Sequence, residues 1–232
     1  IQQTELKNDF ISNITHELKT PVTTVRVAIE ALQDFDGLSD PHRTREYLDI
    51  SKQELDRLNM LVDRVLRMSM FERNQLIMKE ESLDMGQMLR SITSTMQLQF
   101  EKYGAEVEVE MQGDQFSLTG DRLHLTSLIY NLLDNALKYG GNDPRISISL
   151  TQKEQSIALK VSDQGIGISP AHQKKIFDKF FRVPHGNTHN VKGHGLGLSY
   201  VSEVVRLHGG EINLESSLGE GTTFTIQIPQ TA

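Results

Sequence analysis

The run NLLDNALKYG, residues 131–140, decides how the larger part of this chain is built. Asn131, Asn135 and Lys138 stand at i, i+4 and i+7, so they share one helical face. Leu125, Leu128, Ile129, Leu132 and Ala136 form the opposing apolar stripe. One side of this helix is made for a core and the other is free for chemistry. An amide carbonyl is a neutral oxygen ligand suited to Mg²⁺, and a lysine beside it meets phosphate charge. A solvated amphipathic helix with no ligand would show the same pattern.

Outward from this helix the hydrophobic period changes repeatedly. Alternating segments at 106–110, 145–150, 157–161, 211–214 and 222–228 are interleaved with helical ones near 84–102, 121–138 and 196–208. The mixture predicts an α+β sandwich, with a mixed sheet under one helical layer. Two glycine-rich runs punctuate it. In VSDQGIGI, residues 161–168, Asp163 ends an apparent strand, and Gly165 and Gly167 permit a tight turn and close approach to a flat ligand. In GHGLGL, residues 193–198, glycines precede a helix and leave N–H groups free for phosphate. Each run alone is weak evidence. Residues 178–196 lack regular pattern and read as a long functional loop.

Residues 1–74 read differently, as two long helices broken by the loop and helix start around Gly37, Ser39, Asp40 and Pro41. Phe10, Ile14, Leu18, Pro21, Val25, Ala28, Ile29 and Leu32 make one stripe. Leu48, Leu55, Leu58, Leu61, Val62, Val65 and Leu66 make a second, with Ser51 and Ser69 on its side. A hairpin with one stripe per helix leaves apolar surface wet, which predicts pairing of two copies into a four-helix bundle. The expected domains are thus a helical hairpin over 1–74 and an α/β sandwich over 75–232. His16 lies about 190° from the centre of the first stripe and is expected to face solvent. Pro21 is expected to bend the helix one turn beyond it. An ordinary surface histidine and a tolerated proline would fit the same spacing.

Composition narrows the partners. The formal charge is −7 with no concentration of basic residues, so no nucleic-acid partner is expected. The chain has no cysteine, hence no disulfide or thiolate chemistry. No stretch is long and apolar enough to cross a bilayer. His185, His189 and His194 cluster in the long loop, but no carboxylate or thiolate spacing completes a zinc site there.

FISNITHELKTP, residues 10–21, closely resembles the phospho-acceptor box of sensor histidine kinases, with Thr15 and Val22 as mild departures. NLLDNALKYG, VSDQGIGI, IFDKFFRV at 176–183 and GHGLGL resemble, in order, the asparagine, first glycine, phenylalanine and second glycine boxes of the ATP-binding domain of that family, a Bergerat-type fold. Gln164 and His194 occupy variable positions.

The resemblance implies an autophosphorylating kinase that moves the ATP γ-phosphoryl group to His16 and then to an aspartate of a response regulator receiver domain. It implies Glu17 as base and orienter, and Thr20 as the positioner of water for dephosphorylation. Asp163 would read the adenine amino group, with Gly165 and Gly167 around it and Tyr139 beside it. Asn135 would ligate Mg²⁺, with Asn131 and Lys138 serving the phosphates. Gly193, Gly195, Leu196 and Gly197 would form a lid anchored by Phe180 and Phe181, although core packing explains the two phenylalanines almost as well. The receiver would dock around Thr20, Thr23 and Thr24. On this reading the chain is the cytoplasmic portion of an inner-membrane sensor, with membrane contact only through upstream segments. ATP-driven conformational machines share the nucleotide fold but lack the HELKTP helix, and a dimerising adaptor with a decayed site would lack the ligand residues present here.

Overall fold

The computed structural model describes residues 2–34, 40–52, 54, 55, 58, 76–183 and 195–230. In the first helix it describes the side chains of residue 15 and of 18–33. Contacts divide the chain into two units, Ile1–Leu76 and Ile77–Ala232.

The first unit opens with α1, Gln2–Asp34, which runs unbroken through Pro21. Proline removes one backbone donor. Around it the hydroxyls of Thr23 and Thr24 donate to the carbonyls of Lys19 and Thr20, at 2.9 and 3.1 Å. Asp40 starts the next helix, α2, helical over 41–52: its Oδ1 accepts the His42 N–H at 2.9 Å, and Pro41 occupies the first helical position. Along the expected stripe of α1, Pro21, Ala28 and Leu32 are buried and Leu18 and Val25 half-buried. Ile29 departs from expectation and is exposed, as are Leu48 and Leu55 of α2. Among the described residues nothing covers these side chains. Phe10, Ile14, Leu61, Val62, Val65, Leu66 and Ser69 lie outside the described side chains.

The second unit contains β1 (Glu81–Asp84), α3 (Met85–Thr95), α4 (Gln97–Tyr103), β2 (Glu106–Gln112), β3 (Ser117–Gly120) and α5 (Arg122–Tyr139). Then come β4 (Arg145–Gln152), β5 (Ser156–Asp163), α6 (Pro170–Gln173), a 3₁₀ turn at Lys175–Phe177, α7 (Gly197–Leu207), β6 (Glu211–Ser217) and β7 (Gly221–Pro229). Five strands form one sheet in the order β2-β4-β5-β7-β6, with β2 parallel to β4 and every other neighbour antiparallel. The expected mixed sheet is therefore present. Its register aligns Ile148 with Val161 and Val161 with Phe224, all buried, while Ser147, Lys160 and Gln227 are polar and at least partly exposed. This alternation, interrupted at buried Ala158 of β5, gives the sheet one predominantly apolar face, which explains the single helical layer. On that face α5 packs against α7 and α3.

β1 and β3 pair antiparallel in a separate two-stranded sheet. Periodicity did not reveal them, because four residues carry too little alternation.

Candidate functional site

The site grows from both ends of α5. Asp121 caps its start, with Oδ1 accepting the His124 N–H at 2.9 Å. Leu125, Leu128, Ile129, Leu132, Leu133, Ala136 and Leu137 are all at most 2% exposed. At about 1.5–3 kcal/mol for each fully buried large aliphatic side chain, this face locks the helix to the core. Asn131, Asn135 and Lys138 are half-buried on the other side. Asn131 donates its Nδ2–H to the Ser127 carbonyl at 2.7 Å, which turns its Oδ1 outward. A Cβ placed on Gly197 would lie 2.9 Å from that oxygen. The asparagine helix and the second glycine run therefore meet here. Lys138 Nζ donates to Asp134 Oδ2 at 2.6 Å. Sequence reading passed over Asp134, although its spacing of four from a lysine was the available signal.

At the C-terminal end of α5 the first glycine loop docks on backbone. Ile166 donates its N–H to the Tyr139 carbonyl at 3.1 Å. A Cβ on Gly165 would lie 2.1 Å from the same oxygen, which only glycine avoids. Burial raises the Tyr139 phenol above its ordinary value, with Arg182 opposing the shift and Asp134 adding to it.

Asp163, the last residue of β5, accepts the Gly165 N–H on Oδ1 at 2.9 Å and also the backbone N–H of Thr222. Burial nevertheless raises its pKa above 3.8, because the loss of water outweighs those two donors. Gly167 has φ +65°, and a Cβ there would lie 1.8 Å from the Ser217 carbonyl.

Beyond Gly167 the loop is fastened by residues that sequence reading missed. Ile168 donates its N–H to Ser216 Oγ at 2.8 Å, and Gln173 Nε2 reaches the carbonyls of Ile168 and Ser216 at 3.0 and 2.8 Å. Their separation in sequence, more than forty residues for Ile168 and Ser216, hides them from any local pattern.

The third wall is α7. Its N-cap residue, Leu196, makes no side-chain cap, so the first-turn N–H groups keep their capacity for an anion. Gly195, at φ +67°, accepts the Phe180 N–H at 2.8 Å. Phe180 itself has φ +68° and is 6% exposed, and Leu196 is 2% exposed. Both side chains belong to the core, so only their backbone can face a ligand. Phe181 is half-buried, its ring centroid 5.7 Å from that of His172.

His16 and Glu17 have helical backbone in α1, and their side chains lie outside the described residues. Thr20 and Thr23 are exposed and Thr24 half-buried. Gly193, His185, His189 and His194 lie outside the described residues.

Two family models match in tandem: the His Kinase A (phospho-acceptor) domain over residues 6–74, and the histidine kinase-, DNA gyrase B- and HSP90-like ATPase over residues 120–232. The chain is similar to sensor protein RprX of Bacteroides fragilis, at 37% identity over 228 residues, covering 97% of this chain and 44% of that protein. The solved mycobacterial sensor histidine kinase MprB superposes with a TM-score of 0.55 at 29% identity, over 65% of this chain and 97% of that one. Histidine kinase ThkA, solved in complex with response regulator protein TrrA, gives a TM-score of 0.60 at 21% identity, over 99% of this chain and 64% of that chain. The chain spans less than half the length of the curated relatives it matches.

Proposed function

Since the chain belongs to the sensor histidine kinases, as a catalytic core in which a phospho-acceptor domain precedes an ATPase-type domain, we propose that it is an ATP-dependent protein-histidine kinase that phosphorylates its own His16. One observation carries the reading. Asp163 with its glycine loop, the polar face of α5 and the uncapped start of α7 converge on one side of the second unit.

In this assignment the Asp163 carboxylate accepts from the adenine amino group, Gly165 and Gly167 admit the ring, and Tyr139 lies beside it. The N–H groups opening α7 receive phosphate oxygens, with Asn131 alongside. Gly193, Gly195, Leu196 and Gly197 act as the lid through their backbone, and Phe180 and Phe181 anchor it. Lys138 exchanges Asp134 for phosphate charge.

Asn135 fits Mg²⁺. Its half-buried amide makes no hydrogen bond among the described residues, and Mg²⁺ commonly takes one or two protein oxygens with water and phosphates for the rest. When bound, the ion neutralises charge on the phosphates. His16 attacks the γ-phosphorus through Nε2, the bond to the β-phosphate oxygen breaks, and ADP leaves. Glu17 takes the Nδ1 proton as the imidazole becomes cationic.

The phosphoryl group then passes to an aspartate on a response regulator receiver, docked around Thr20, Thr23 and Thr24. The ThkA–TrrA pairing favours that partner. Thr20 positions water for the reverse, phosphatase, activity. Exposed Val22, Val27, Ile29, Leu48 and Leu55 support a homodimer sharing a four-helix bundle. The match to part of longer sensor proteins supports a cytoplasmic portion of an inner-membrane sensor. Among the described residues no helix is long and apolar enough to cross a membrane.

Incubation with labelled ATP and Mg²⁺ followed by acid tests the reading. Acid-labile, alkali-stable label on the protein, absent in His16→Gln and in Asn135→Ala, supports it. ATP hydrolysis without protein label would indicate a conformational ATPase instead, and no turnover at all would indicate an adaptor. Normal labelling of Asn135→Ala would remove the metal assignment.

A further inference from the structure

Among its described residues the second unit buries three titratable side chains that phosphoryl transfer does not use. Asp121, His124 and Tyr200 are 4%, 6% and 5% exposed. Buried polar groups persist only when paired, so their hydrogen bonds can be followed one by one.

Asp121 Oδ2 accepts the Lys79 N–H at 2.7 Å, and Oδ1 accepts that of His124. The Asp121 N–H donates to His208 Nε2 at 3.0 Å. Because that N–H can only donate, Nε2 carries no proton. Nδ1 carries it instead and donates to the Val204 carbonyl, 2.7 Å away in the last turn of α7. On the other branch, His124 Nε2 faces Asp121 Oδ2 at 4.0 Å, and Nδ1 lies 2.7 Å from the Tyr200 hydroxyl. With the proton on Nε2, facing the carboxylate, Tyr200 donates to Nδ1.

Two points on α7 are thereby tied to the start of α5. His124 lies seven residues before Asn131, on the same helical face. Tyr200 donates its backbone N–H to Leu196, within the turn that carries Gly197. The pairs His124–Tyr200 and Asn131–Gly197 run antiparallel along the same helix pair, so sliding one pair slides the other.

We propose that His124 and Tyr200 are positioning residues for nucleotide binding: their hydrogen bond sets the register of α7 on α5, and so the placement of the α7 N–H groups against Asn131. This role rests on the nucleotide-site reading above. It concerns binding rather than transfer, because neither side chain touches the reacting atoms.

The test uses the whole chain, titrated with ADP and Mg²⁺ by calorimetry, alongside labelling at saturating ATP. Tyr200→Phe keeps the ring and removes the hydroxyl. It is expected to raise the ADP Kd about tenfold while leaving the saturated labelling rate within about twofold. His124→Asn, whose amide can still receive the hydroxyl, should stay within about threefold of wild type, whereas His124→Leu should match Tyr200→Phe. Glu203→Gln, on the outer face of the same helix, should bind normally.

Wild-type affinity in folded Tyr200→Phe, even with a lowered melting temperature, would reduce the pair to a structural role and overturn the proposal. If Tyr200→Phe fails to fold, equal affinities for His124→Asn and His124→Leu would overturn it. Absence of ADP binding by the wild-type chain would sink the nucleotide site and this role together. Normal wild-type binding with an unaffected Tyr200→Phe would sink this role alone.

Discussion

In the second unit Leu125, Leu128, Ile129 and Leu133 are 0% exposed, whereas in the first unit Val22 and Val27 are 53% exposed and Leu48 55%. The sheet and helices of the second unit cover each other, so the polar face of α5 rests on a core complete within one chain. The described helices of the first unit keep apolar side chains exposed. Aliphatic residues thus close a core in one region and stay exposed in the other, where the proposed homodimer would cover them.

The contrast breaks most directly at Leu128. Leu128→Ala should cost the second unit about 3 kcal/mol in urea denaturation, since it leaves a cavity among side chains with no access to solvent. A cost below about 1 kcal/mol would mean that the core is not close-packed there.

A double change, Leu48→Glu with Leu55→Glu, should act on association. Sedimentation should show dimerisation weakened by about 2 kcal/mol, roughly thirtyfold, with the urea midpoint of the second unit unmoved. An unchanged association constant would take these residues out of the dimer surface.

A smaller effect sharpens the view of the second unit as a self-contained core. Burial lowers the pKa of His208 below 6.5, reinforced by His124 and opposed by the Val204 carbonyl and by Asp121 and Glu80. A depressed folded-state value means that the unfolded chain takes up the proton first on acidification. The stability given by neutral His208 is therefore full above pH 6.5 and is lost as pH falls below it. The melting temperature should drop more between pH 7.5 and 5.5 for wild type than for His208→Gln. Parallel curves would show that His208 is not responsible.

The smallest change belongs to the surface of the first unit. Arg26 and Glu30 form an ion pair at 3.6 Å with side chains 69% and 52% exposed. Arg26→Ala should cost under about 0.5 kcal/mol in thermal unfolding, and a larger loss would mean that Arg26 serves the interface between copies.

Much of this was legible beforehand. The strands at 145–150 and 157–161 and the two-faced α5 showed in their spacing, because a period of two or 3.6 is written into neighbouring residues. β1 and β3 were too short to show it. Ile29, Leu48 and Leu55 were assigned to stripes by a rule that holds only when something lies opposite. Asp134 carried a signal in its spacing of four from Lys138, but that spacing alone does not separate a paired lysine from one free for a ligand. Ser216, Gln173 and Thr222 had no local signal.

Read as a string, the chain already specified two helices followed by a mixed α+β sandwich, and which faces of α5 would be apolar and polar, because those properties depend on residues within a turn or two of each other. Folding alone brought the carbonyl of Tyr139 onto Gly165, Gly197 against Asn131, and Tyr200 onto His124. Those contacts join segments from 26 to 76 positions apart, and their distances follow from how β5, α5 and α7 stack rather than from any residue's preference for its neighbours.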